Sequence, residues 1–159
     1  MMNNDVKQEA ADHFRNVLIT VVGQAFSAAG YQLEDAPIKQ RAGLFRFRKA
    51  LANGLYGFIE FQLLYLPATE WSGNVTSRFR VSVVRSDKSD AQSHSTHPQY
   101  ARKTLSELVV IDFGVNILPS ADHWWMFDNT DALGKALAEA GHLVVGYGMP
   151  WLAGDIEAG

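Results

Sequence analysis

Apolar positions along this chain fall first at helical spacing and then at strand spacing. Ala10, Phe14, Val17, Leu18, Val21, Val22, Ala25 and Phe26 recur at intervals of three and four, the mark of a helix buried along one stripe. The spacing predicts a helix over about residues 6–29. Asp5 is placed to cap its start with Gln8 three residues on, and Gly30 stands where a left-handed residue closes it.

The period then changes to two. Phe45 and Phe47 alternate with Arg46 and Arg48, and Gly57, Ile59, Phe61, Leu63 and Tyr65 alternate with Phe58, Glu60, Gln62 and Leu64. Between these runs lies the turn signal Ala52-Asn53-Gly54. Parity selects the turn length. A two-residue turn sets Phe47 against Glu60 and mixes the faces. A three-residue turn ending in left-handed Gly54 pairs Leu51 with Leu55, Phe47 with Ile59, Phe45 with Phe61 and Arg46 with Glu60. Only the longer turn separates an apolar face from a polar one. A third strand is predicted at about Thr76 to Arg85, with Phe79, Val81 and Val83 opposite Arg78, Arg80 and Ser82.

Beyond the third strand the signals are mixed. Residues 86–100 are polar and aperiodic and read as a flexible surface loop. Thr104-Leu105-Ser106-Glu107 is a capping box, and Leu105, Leu108, Val109 and Phe113 keep helical spacing up to Gly114, although Val109-Val110-Ile111 suits a strand equally well. A last helix starts near Asn129 to Asp131 and carries Leu133, Ala136, Leu137, Ala140, Val144 and Tyr147 on one stripe. Gly134 and Gly141 weaken it, Gly148 and Pro150 are expected to stop it, and residues 153–159 are expected to fray. These elements make one α+β domain over 1–159. The expected architecture is an antiparallel meander of three to five strands with the N- and C-terminal helices packed on one face.

Composition narrows the chemistry. A chain of 159 residues with 47% hydrophobic and 19% charged residues is long enough to bury a core without a staple. The absence of cysteine removes disulfides, thiolate nucleophiles and cysteine-ligated metal. The N-terminus lacks a signal-peptide pattern and no apolar run reaches membrane-spanning length, so a cytoplasmic protein without membrane contact is expected. A net charge of −3 argues against a dedicated duplex nucleic-acid binder but leaves room for one basic face.

Two Arg-Phe-Arg triplets, at 46–48 and 78–80, supply such a face. Each puts a phenylalanine inward and two arginines outward, so Arg46, Arg48, Arg78 and Arg80 share a face with Glu60 and Gln62. Guanidinium forks suit carboxylates and phosphates. The plainer alternative is a solvated sheet face. Phe58 is the one aromatic interleaved with these arginines, so the stacking platform of a single-strand binder is mostly missing. Trp71, in the loop between the second and third strands, joins the arginines and Glu60 as a candidate binding residue.

His94 and His97 have the look of metal ligands, but no third ligand is fixed near them, and no metal site is assigned. His123 beside Asp122 is the weak catalytic candidate, a general base without a nucleophile elbow to serve. Trp124 and Trp125 close the core or anchor an interface. Phosphate-binding glycine loops are absent, and no cofactor is expected.

The order of a long N-terminal helix, an arginine-bearing meander, Asp112-Phe113-Gly114-Val115, His123-Trp124-Trp125 and a closing Tyr147-Gly148-Met149-Pro150-Trp151-Leu152 resembles small bacterial domains of unknown function. Several such families resemble immunity proteins of toxin systems. The resemblance implies a non-enzymatic protein-binding domain of immunity or adaptor type and supplies no catalytic residue. The arginine-bearing face is its expected contact surface, with nucleic-acid or phosphorylated-ligand binding there, or His123 chemistry, as the alternatives. Oligomeric state is left open.

Overall fold

The computed structural model describes residues 4–66 and 76–155. Helix α1 (Asn4–Leu18) passes through a π turn (Ile19–Gly23) into α2 (Gln24–Ala28), so the amphipathic stripe forms one long helical rod. Asp5 lies inside that rod rather than before it. Its C-terminus closes where glycine allows. Gly30, at φ +95°, lets the Tyr31 and Gly30 N–H groups donate back to the Phe26 and Ser27 carbonyls. Short β1 (Gln32–Leu33) and α3 (Pro37–Arg41) then lead to the strands β2 (Leu44–Ala50), β3 (Tyr56–Leu64) and β4 (Ser77–Ser86). Next come β5 (Ala101–Thr104), α4 (Leu105–Glu107) with a π turn (Leu108–Asp112), and β6 (Trp125–Phe127). The chain ends in α5 (Thr130–Leu143), a π turn (Val144–Gly148) and α6 (Met149–Ala153).

The sheet is antiparallel throughout, in the order β1-β2-β3-β4, with β5 and β6 sharing the far edge of β4. The hairpin takes the register that parity selects. Arg46 faces Glu60, Phe47 faces Ile59 and Phe45 faces Phe61. The Leu51 N–H donates to the Leu55 carbonyl at 2.7 Å across a turn in which Asn53 and Gly54 are both left-handed.

One face of the sheet carries the core. Phe14 of α1 sits 5.0 Å from the Phe45 ring and 5.7 Å from Phe79, and Phe26 lies 5.0 Å from Phe47. Trp125 stacks on Phe79 at 5.5 Å. Leu133, Leu137, Ala140 and Val144 bring α5 and its π turn onto the same layer. Buried rings of this kind carry most of the apolar area that favours folding. Both terminal helices therefore lie on one face, as the apolar stripes predict.

Two details depart from the sequence reading, and one segment it left open between helix and strand is decided. Residues 105–112 are helical, started by the Thr104 hydroxyl, which accepts from the Glu107 N–H, so the capping box outweighs the β-branched run. The last helix does not stop at Gly148 and Pro150. A π turn carries it through to Ala153, with Pro150 in the first turn of α6, where a missing N–H costs little, and left-handed Gly154 ends it. Gly141, read as a weak point, is where α5 meets the first π turn. A Cβ there would lie 2.8 Å from Val22 Cγ1. Residues 156–159, most of the segment expected to fray, lie outside the described residues.

Candidate functional site on the outer face of the sheet

The sheet's second face is built in rows by strand register. Leu64, Arg78 and Met126 form one row. Leu44, Gln62 and Arg80 form the next, extended by Trp124, which lies one alternation before Met126. Arg46, Glu60, Ser82 and Thr104 make the third, and Arg48, Phe58, Val84 and Arg102 the fourth. All four arginines expected on this face are there, but their surroundings divide them.

Arg46 is enclosed. Its Nε donates to Glu34 at 2.6 Å, Nη1 reaches Glu60 at 3.4 Å and Nη2 lies 3.9 Å from Asp90. Glu60 is buried as well, and its other oxygen accepts from Arg102 Nη1 at 2.7 Å. Burial pulls the Arg102 guanidinium down, but Glu60 and, to a smaller degree, Tyr100 together more than offset it and hold Arg102 above its ordinary value. A carboxylate held between two guanidiniums, one of them buried, satisfies itself internally. Arg46 and Glu60, both candidate binding residues, are thus engaged in an interior network.

The segment after β4 lies on the same region. Phe58, Val84 and Ala91 form a small second apolar cluster edged by Tyr56 and Tyr100. Arg102 Nη2 donates to the Ala91 carbonyl at 3.1 Å, and Arg85 holds the Gln99 and Trp151 carbonyls at 2.8 and 3.0 Å. Ser95 is buried and donates to Asp87, which holds that carboxyl below the usual aspartate range. Residues 86–100 therefore include buried positions packed on the sheet, beyond the surface role read from their polarity.

The first two rows remain open. Arg80 stacks over the Trp124 indole at 4.7 Å and donates from Nη2 to Gln62 at 3.2 Å. The Nε atoms of Arg78 and Arg80 are buried without an acceptor, and neither residue makes an ion pair among the described residues. Leu64 and Met126 are 44% and 56% exposed beside them. Arg48, exposed in the fourth row, leans over Tyr56 at 5.5 Å. Aromatic partners for the arginines thus exist that local sequence did not reveal, chiefly Trp124. The two tryptophans split. Trp125 enters the core, and Trp124 turns outward by the alternation of β6.

A basin of about 280 Å³ opens between the second and third rows, lined by Leu44, Glu60, Gln62, Arg80, Ser82 and Thr104, with Glu107 at its edge. Trp71, the remaining binding candidate, lies outside the described residues.

His123 is placed differently from a catalytic base. Its ring meets Trp125 edge-on at 4.5 Å, and burial lowers its pKa against a smaller raising effect of Glu139. Its backbone N–H donates to Ser106, but among the described residues no hydrogen bond joins its ring to Asp122. His94 is exposed, and His97 Nδ1 accepts from the Gln99 N–H at 3.0 Å. No group of three or more metal-ligating side chains occurs among the described residues. No described helix is long and apolar enough to cross a membrane.

No protein-family model, no curated protein and no solved structure matches this chain.

Proposed function

We propose that this chain is a non-enzymatic protein-binding domain, immunity-like or adaptor-like, that docks an acidic partner on the open half of the outer sheet face. One observation carries the reading. Arg78 and Arg80 lie beside Trp124, Leu64 and Met126 with no carboxylate paired to either among the described residues. Arginine, tryptophan and methionine grouped around exposed apolar area are what protein interfaces concentrate. Two guanidiniums without counter-charge select a partner that brings acidic groups. A single indole is a poor platform for successive bases, and the net charge of −3 works against polyanions. An enzymatic reading needs an oriented base, and among the described residues no carboxylate is hydrogen-bonded to the His123 ring.

The test is capture with the whole chain as bait, followed by titration of the purified captured protein. The expected result is a Kd weakened about tenfold or more in Arg78→Ala/Arg80→Ala and by a similar factor in Trp124→Ala, as at interface hot spots. Binding should also weaken with salt. Affinity unchanged in both variants would remove the reading. Saturable, salt-dependent binding of a single-stranded oligonucleotide lost in the same variants would move the face to nucleic acid instead.

A further inference from the structure

We infer that the basin beside Arg80 is a carboxylate subsite, made to receive one acidic side chain of the docked partner. This deepens the docking reading and rests on it for the source of the carboxylate.

Two arginines line the basin. Arg102 is neutralised by Glu60 at 2.7 Å, whereas Arg80 has only neutral partners among the described residues, the Gln62 amide at 3.2 Å and the Trp124 face. Lys103 also borders the basin, but its ammonium pairs with Asp112. Among the described residues Arg80 is therefore the basin's cation without a counter-ion. Stacking against Trp124 holds the guanidinium plane, which leaves its edge to meet a planar acceptor. Ser82 sits beside it on β4, two residues on and on the same face, and its hydroxyl has no hydrogen-bond partner among the described residues. A fixed guanidinium and a free hydroxyl in one concavity form a donor site for an oxyanion.

The same walls set the charge of that oxyanion. Glu107 lines the basin too and, unlike Glu60, which sits between Arg46 and Arg102, it repels an incoming anion. Arg80 supplies one positive charge, which balances a carboxylate monoanion but leaves a phosphate dianion with an uncompensated charge facing Glu107, so the site favours a carboxylate. Glu107 is exposed at the edge and unpaired among the described residues, which makes it the selectivity element rather than a structural one.

The test follows the Nε–H resonance of Arg80 in the folded full chain during titration with acetate or inorganic phosphate, against chloride at matched ionic strength. A saturable shift with acetate, weaker with phosphate and absent with chloride, is expected. Glu107→Gln should tighten acetate by about threefold and phosphate by more, and Ser82→Ala should weaken acetate while leaving the fold intact. Because Arg80→Gln removes the reporter resonance, its loss of site is read on the Trp124 indole N–H. No saturable acetate shift in either wild type or Glu107→Gln overturns the subsite. The two readings fail separately. A captured partner without acetate binding removes the subsite alone, whereas acetate binding with no protein partner removes the docking reading and assigns the basin to a free carboxylate.

Discussion

Glu60→Gln tests whether Arg46 and Arg102 belong to the interior. The substitution keeps the side-chain volume and one acceptor oxygen, but removes the charge that bridges Arg102 at 2.7 Å and Arg46 at 3.4 Å. Removing one member of a fully buried ion pair costs about 3–5 kcal/mol, because the partner charge is left uncompensated. Two features reduce that figure here. Arg46 retains Glu34 at 2.6 Å, and the Arg102 side chain is 40% exposed and keeps the Ala91 carbonyl. About 2 kcal/mol is therefore expected, which in a domain of this size lowers Tm by about 4–8 °C. Urea unfolding should give a lower midpoint with an unchanged slope. A loss below about 0.5 kcal/mol, the scale of ordinary surface changes, would refute the network. Arg46 and Glu60 would then return to the surface available to a partner. The double variant Arg46→Met/Glu60→Leu separates charge from packing, since replacing both members removes the uncompensated charge and should cost less than the two single changes added.

Two further outcomes follow from the geometry. Gly43→Ala should cost about 2–4 kcal/mol in urea unfolding, because residue 43 has φ +102° and a Cβ there would lie 2.4 Å from the Leu63 carbonyl oxygen. Gly146→Ala, with nothing near its Cβ, is the control and should be neutral or slightly stabilising. Burial lowers the His123 pKa below its ordinary 6.5, so the unfolded chain takes up this proton first as pH falls. The His123 contribution is intact above 6.5 and declines as pH drops through that value towards the lower folded one. His123→Phe should therefore gain stability relative to wild type between pH 7.5 and 5.5, and a constant difference across that range would contradict the buried, neutral imidazole.

The sequence by itself determined the sheet's two-sidedness. Side-chain period and a short turn set Arg46 against Glu60 and Phe47 against Ile59 through contacts between neighbouring stretches of chain, and only one register separates polar from apolar residues. The Thr104 capping box and the Gly30 closure are local in the same way. The path of the last helix past Pro150 was not legible, because a π turn leaves no mark in hydrophobic spacing. Which arginines face solvent was decided only by tertiary structure. Arg102 arrives at Glu60 from 42 residues away, Asp90 and Ala91 are carried onto the third and fourth rows by a segment with no periodicity, and β6 delivers Trp124 to Arg80 from beyond α4. The local pattern places four equivalent arginines on one face. Non-local packing buries Arg46 among carboxylates and leaves Arg80 uncompensated beside an indole, because the charge a guanidinium meets depends on which distant segment lies over it.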